Sequence, residues 1–217
     1  MATYAALDIA QRALYHLGIT TTLTDVETPG SLNEEIVLNN LLPFVMSKVT
    51  LCREWTHLVK RVVLTEDTDA DIEGWEHLYD VPSDLGIIIR IEPTSLSARN
   101  TRETYRFAVR YEYDITGADQ KLATDIAQAE LVYTFMPTIA TLSATPGGAT
   151  ANSMAYFEAM AAELAAQAAM PLLVDPAIEA RAFARASEYM DVAVAADIDS
   201  KTQSDDWPEA DGIVARF

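Results

Sequence analysis

Apolar residues recur with helical spacing at both ends of this 217-residue chain, and with strand-like alternation only between them. Over 3–17 the apolar positions are Ala6, Ile9, Ala10, Ala13, Leu14 and Leu17, one face of a helix, and Gly18 stands where a C-terminal cap belongs. A polar connector, 19–30, leads to Ser31, an expected N-cap that Glu34 would complete as a capping box. The second helix is expected to pass through Ile36, Leu38, Leu41 and Leu42 towards Trp55, kinked where Pro43 removes a backbone donor. The texture changes at Leu58. Segments 58–64, 86–91, 105–114, 121–126 and 130–135 are rich in β-formers and bounded by turn residues, which predicts a meander of about five antiparallel strands. The stretch 66–73 is an acidic loop, and Pro137 ends the sheet. Helical spacing returns over 152–170 (Met154, Phe157, Ala161, Leu164, Ala165, Ala168), and Asp175-Pro176 starts a last helix expected to reach Ile198.

Each helix pair must bury its apolar stripe, and the other pair is the economical partner. The expected class is therefore α+β: a four-helix bundle body from 1–57 and 138–198, an antiparallel β meander inserted over 58–137 and projecting from one end, and an extended C-terminal arm over 199–217.

Composition removes several function classes. With 33 acidic and 15 basic residues the net charge is −18, and such a surface repels nucleic-acid phosphates. Cys52 is alone, so neither an intrachain disulfide nor a thiolate metal cage is expected; His16, His57 and His77 are scattered. The N-terminal segment lacks the basic flank and continuous apolar core of a signal peptide, and no apolar run nears the roughly 20 residues that span a bilayer. These features predict a soluble chain made in a reducing compartment, without membrane, metal or cofactor.

Catalytic motifs are equally sparse. Gly147-Gly148 lacks the lysine of a phosphate loop, and no serine occupies a nucleophile elbow. The best acid–base candidate is the segment containing Glu76, His77, Tyr79, Asp80 and Asp84; the competing reading is an aromatic-anchored loop whose aspartates cap turns. Asp67, Asp69 and Asp71 alternate like calcium ligands, yet their loop lacks the glycine and closing glutamate of such a site. Tyr105, Phe107, Tyr111 and Tyr113 suit sheet packing better than base stacking, which needs a positive groove.

Four stretches, in order, carry a resemblance. They are Leu7-Asp8-Ile9-Ala10-Gln11-Arg12-Ala13-Leu14-Tyr15-His16-Leu17-Gly18; Trp55-Thr56-His57-Leu58-Val59-Lys60-Arg61-Val62-Val63-Leu64; Gly74-Trp75-Glu76-His77-Leu78-Tyr79-Asp80-Val81-Pro82-Ser83-Asp84; and the helix from Phe157 to Ala165. Together they resemble the tail tubular protein A family, the head-to-tail adaptors of short-tailed phages, and related adaptors of long-tailed phages and gene transfer agents. Leu58 stands where that family usually has a small residue.

The resemblance implies a non-enzymatic structural protein at the head–tail junction of a virion, synthesised in host cytoplasm. It implies a closed ring of about twelve copies docked under the portal protein, with a downstream tail or nozzle protein as the next partner. Packaged DNA would pass through the acidic lumen without sequence-specific binding. Trp207, Arg216 and Phe217 are the expected anchors to the portal or a neighbouring subunit. The alternatives are a head-completion stopper, a mostly β tail-tube subunit, or an enzyme using His77 with Asp80 or Asp84.

Overall fold

Ile9, Ala10, Ala13 and Leu14 lie on one side of α1 (Ala6–His16) and are fully buried. The helix closes on Gly18, whose φ of +77° lets Gly18 N–H reach Tyr15 O and Ile19 N–H reach Leu14 O, a paired cap that only a left-handed residue allows. The computed structural model describes residues 6–68, 74–94, 107–114, 117–139, 142 and 151–205, and only the backbone of 107–114, 117–120, 151–153 and 200–205. Within these residues the protein is mixed α and β, with four helices and two small antiparallel sheets. By contacts the chain divides into two compact units, Met1–His57 with Pro137–Phe217, and Leu58–Met136.

The first unit holds all four helices: α1, α2 (Asn33–Leu51), α3 (Ala151–Leu173) and α4 (Pro176–Asp205). Helix α3 touches each of the other three. Its sequence explains why: Ala159, Ala161, Ala162, Ala165, Ala166, Ala168 and Ala169 are buried over one half of its circumference and Met160, Glu163 and Leu164 over the other, so this stretch reserves no face for water, and the alanines let neighbouring helices come close. Ala162 and Ala166 pack with Ala186 of α4, flanked by Tyr189. Two carboxylates on α3 reach outward. Glu158 pairs with Arg12 of α1, and Glu163, 6% exposed, pairs with Lys48 of α2 at 2.5 Å.

The start of α2 differs from expectation. Its N-cap is Leu32, which contributes no side-chain bond, and Ser31 with Glu34 forms no capping box. Glu35 organises this region instead. Its buried carboxylate accepts from Thr24 N–H (2.9 Å), Thr24 Oγ1 (2.8 Å) and Gly30 N–H (3.0 Å), so the connector folds over the helix rather than merely leading into it. Those bonds, with Thr24's foremost, hold the Glu35 carboxyl below the usual carboxylate range. Gln11 ties the same connector to α1 through Thr21 O and Leu23 N–H, both at 2.9 Å. Helix α2 ends at Leu51, short of Trp55, and α4 continues past Ile198 to Asp205, so the first part of the expected arm is helical. Asp175 caps α4 as expected, accepting from Ala177 N–H at 2.8 Å.

The second unit contains β1 (Val59–Val63), β2 (His77–Asp80), β3 (Leu85–Pro93), β4 (Phe107–Asp114), β5 (Gly117–Thr124) and β6 (Ala129–Phe135). They do not form a single meander. One sheet has the order β1-β6-β3 and the other β2-β5-β4. Chain continuity links the two sheets. After β1, Leu64 N–H still bonds to Ala129 O of the first sheet, whereas Asp67 N–H bonds to Leu78 O of the second. The return from β5 to β6 turns at Gln128, at φ +55°. Strand β2 falls in the segment read as a loop. Its four residues are too few for a periodic signal, and they pair with Lys121–Thr124, far away in sequence. Strand β3 pairs irregularly with β6, its register shifting between Leu85 and Ile88 and again between Ile88 and Arg90, and Gly86 lies so close to Thr134 that a Cβ there would sit 2.6 Å from Thr134 O.

Candidate functional site

The acid–base candidates are not assembled. His77 Nδ1 lies 2.7 Å from Glu66 Oε1. Asp80 accepts from Lys121 Nζ at 2.8 Å, and Lys121 also holds Asp67 at 2.5 Å. These two carboxylates, Asp67 foremost, raise the Lys121 pKa further above its ordinary value. Asp84 accepts from Tyr133 Oη at 2.7 Å and from Lys60. Burial pushes the Asp84 carboxyl up, and its bonds to Lys60 and Tyr133 outweigh that effect and hold it low. Asp80 and Asp84 thus pair with groups on different strands rather than with His77, whose ring partner is Glu66. Tyr79 points inward, its hydroxyl donating to Ile126 O at 2.7 Å. Asp69, Asp71, Tyr105, Trp207, Arg216 and Phe217 lie outside the described residues, as do the side chains of Phe107, Tyr111 and Tyr113. Among the described residues no group of three or more His, Cys, Asp or Glu side chains is placed to hold a metal ion.

The Trp55-Thr56-His57 stretch is a structural junction within the helical unit. Trp55 is fully buried and donates from Nε1 to Val49 O at 2.8 Å, which turns the chain back under α2. The Trp55 ring meets Tyr156 of α3 edge-on with centroids 5.0 Å apart, and His57 meets the same ring at 4.8 Å. Tyr156 Oη bonds to Thr50 Oγ1 at 2.7 Å. Asp197 of α4, 1% exposed, accepts from Thr56 N–H (2.9 Å) and Thr56 Oγ1 (2.6 Å) and pairs with Arg53 at 3.1 Å. Arg53 also donates to Val194 O at 3.2 Å. Both His57 ring nitrogens are buried without a hydrogen-bond partner. Burial therefore pushes its pKa down to about 4, against the opposing pull of Asp197, and the imidazole is neutral at pH 7.

A groove of about 570 Å³ opens elsewhere on the helical unit, between the end of α1 and the facing sides of α3 and α4. Ala162 and Ala165 form its floor, and Tyr15, His16, Arg181 and Arg185 its walls. Small residues on α3 leave the space, and residues one turn apart on α4 fill one wall with guanidinium groups. His16 stacks edge-on with Tyr189 at 5.2 Å. Burial lowers the His16 pKa, and the nearby Arg185 and Arg12 charges lower it further.

No family model matches the chain, and no curated protein matches it. The sequence-derived candidates did not include this groove. Its available signal was the pair Arg181 and Arg185, four residues apart on a helix in a chain with more than twice as many acidic as basic residues.

Proposed function

We propose that this chain is a structural virion protein, a head-to-tail adaptor whose copies close into a ring under the portal and carry part of the DNA conduit. In this reading the helical unit is a four-helix bundle body, the sheets face the next tail component, and an acidic lumen lets DNA pass without adhering. The observation that carries the reading is the sharing of one compact unit by both chain ends, with the strands in a unit of their own. The resemblance of the ordered motifs described above supports the adaptor family in particular.

Two further observations favour it over the alternatives. Helices of 11, 19, 23 and 30 residues make up more than a third of the 217-residue chain, which fits an adaptor better than a mostly β tube subunit. The Trp55-Thr56 motif is spent on packing α2, α3 and α4 together, as expected of a scaffold. The test is to mix the purified protein with its cognate portal and image the product by electron microscopy. Rings seated on the portal are expected. A failure to associate with portal or tail components at any ratio sinks the proposal.

A further inference from the structure

Arg181 and Arg185 stand apart from the other lysines and arginines whose side chains are described. Every other lysine or arginine whose side chain is described has a carboxylate within ion-pairing distance. Among the described residues, Arg181 and Arg185 have none, although acids outnumber bases 33 to 15. Both are exposed, both line the α1–α3–α4 groove, and Tyr15, 60% exposed, presents an aromatic ring beside them. Glu188 lines the same groove outside pairing distance of either arginine, and Glu158 at its edge is paired with Arg12. The groove therefore presents two unneutralised guanidiniums and an aromatic wall over an alanine floor. That chemistry suits an acidic peptide with an aromatic residue.

The chain contains such a peptide: Asp205-Asp206-Trp207-Pro208-Glu209-Ala210-Asp211. It cannot serve its own groove. Arg185 and Asp205 are separated by about 30 Å of α4. Trp207 extends at most about 7 Å beyond Asp205, and Asp211 at most about 21 Å. We propose that the groove binds the Asp205–Asp211 segment of a second copy of this chain, with Trp207 beside Tyr15 and the flanking acids on Arg181 and Arg185. Such a contact joins one surface to a different one, so repeating it without reciprocal exchange between two copies builds a ring or a filament. The inference deepens the ring reading by naming a subunit contact, and rests on that reading only in taking a second copy as the occupant.

The test uses the full chain without portal, so its outcome is separate from that of portal docking. A fluorescein-labelled peptide of residues 204–212 is titrated with the protein and followed by anisotropy. The peptide is expected to bind, to weaken as salt is raised, and to lose roughly tenfold or more in affinity with R181E/R185E. Both positions are exposed, so this variant keeps its fold, which circular dichroism verifies. A peptide with its acids changed to lysine should bind the reversed chain and not the original. No binding, or equal binding to both proteins, overturns the proposal. So does a result in which R181E/R185E loses portal binding while its hold on the peptide is unchanged, because the groove then belongs to the portal.

Discussion

Replacing Asp197 with alanine should loosen the helical unit more than any other single surface-distant polar change in α4. The carboxylate is 1% exposed, and its loss leaves Arg53, 20% exposed, without its charge partner and Thr56 without an acceptor for both N–H and Oγ1. Breaking a buried pair from one side costs about 3–5 kcal/mol, and the partial exposure of Arg53 places this case near the low end, at about 3 kcal/mol. For a chain of this size that corresponds to a fall of about 6–12 °C in Tm. Thr56→Val removes a single charge-assisted bond and should cost about 1.5 kcal/mol. Chemical denaturation followed by circular dichroism at 222 nm measures both. Limited proteolysis should show new cleavage in the last turns of α4 for D197A alone. A D197A loss under about 1 kcal/mol, or a T56V loss as large as that of D197A, would refute the junction argument.

Acid should destabilise the protein through His57. The folded-state pKa of about 4 lies below the ordinary value near 6.5, so between these limits the unfolded chain binds the extra proton. Stability is then full above pH 6.5 and declines by about 3 kcal/mol towards pH 4. His57→Phe keeps the ring against Tyr156 and should flatten that part of the pH–stability curve; an unchanged slope counts against the burial argument. Gly86→Ala drives a methyl group into Thr134 O and should cost about 1–3 kcal/mol by denaturant titration, because the opposing atom is backbone and yields little. A neutral result would mean that β3 can shift away from β6.

The helices were legible because their signals are local. The spacing of Ile9, Ala10, Ala13 and Leu14, the left-handed Gly18 and the Asp175-Pro176 start each act within a few residues of themselves. The sheet order was not legible for the opposite reason. Placing β6 between β1 and β3 depends on partners tens of residues away, and alternation within β6 is the same whichever strand lies beside it. Ser31 looked like a cap because Glu34 follows at the right distance, but the tertiary fold gave the organising part to Glu35, one position later. The groove needed three elements to come together before Arg181 and Arg185 acquired meaning. His77 shows the converse: adjacency in sequence to Asp80 and Asp84 suggested chemistry that the pairing of strands then distributed among Glu66, Lys121, Lys60 and Tyr133.

The division of the helical unit between the two chain ends has a consequence for synthesis on the ribosome. Helices α1 and α2 emerge first, yet α3, against which both pack, begins only at Ala151. At ordinary elongation rates the apolar faces of the first two helices stay uncovered for on the order of 5–20 s. The strands of Leu58–Met136 form a continuous stretch and can pair during that interval. The nascent chain is therefore most vulnerable to aggregation and to chaperone capture until α3 has emerged, and the helical unit closes after the strands.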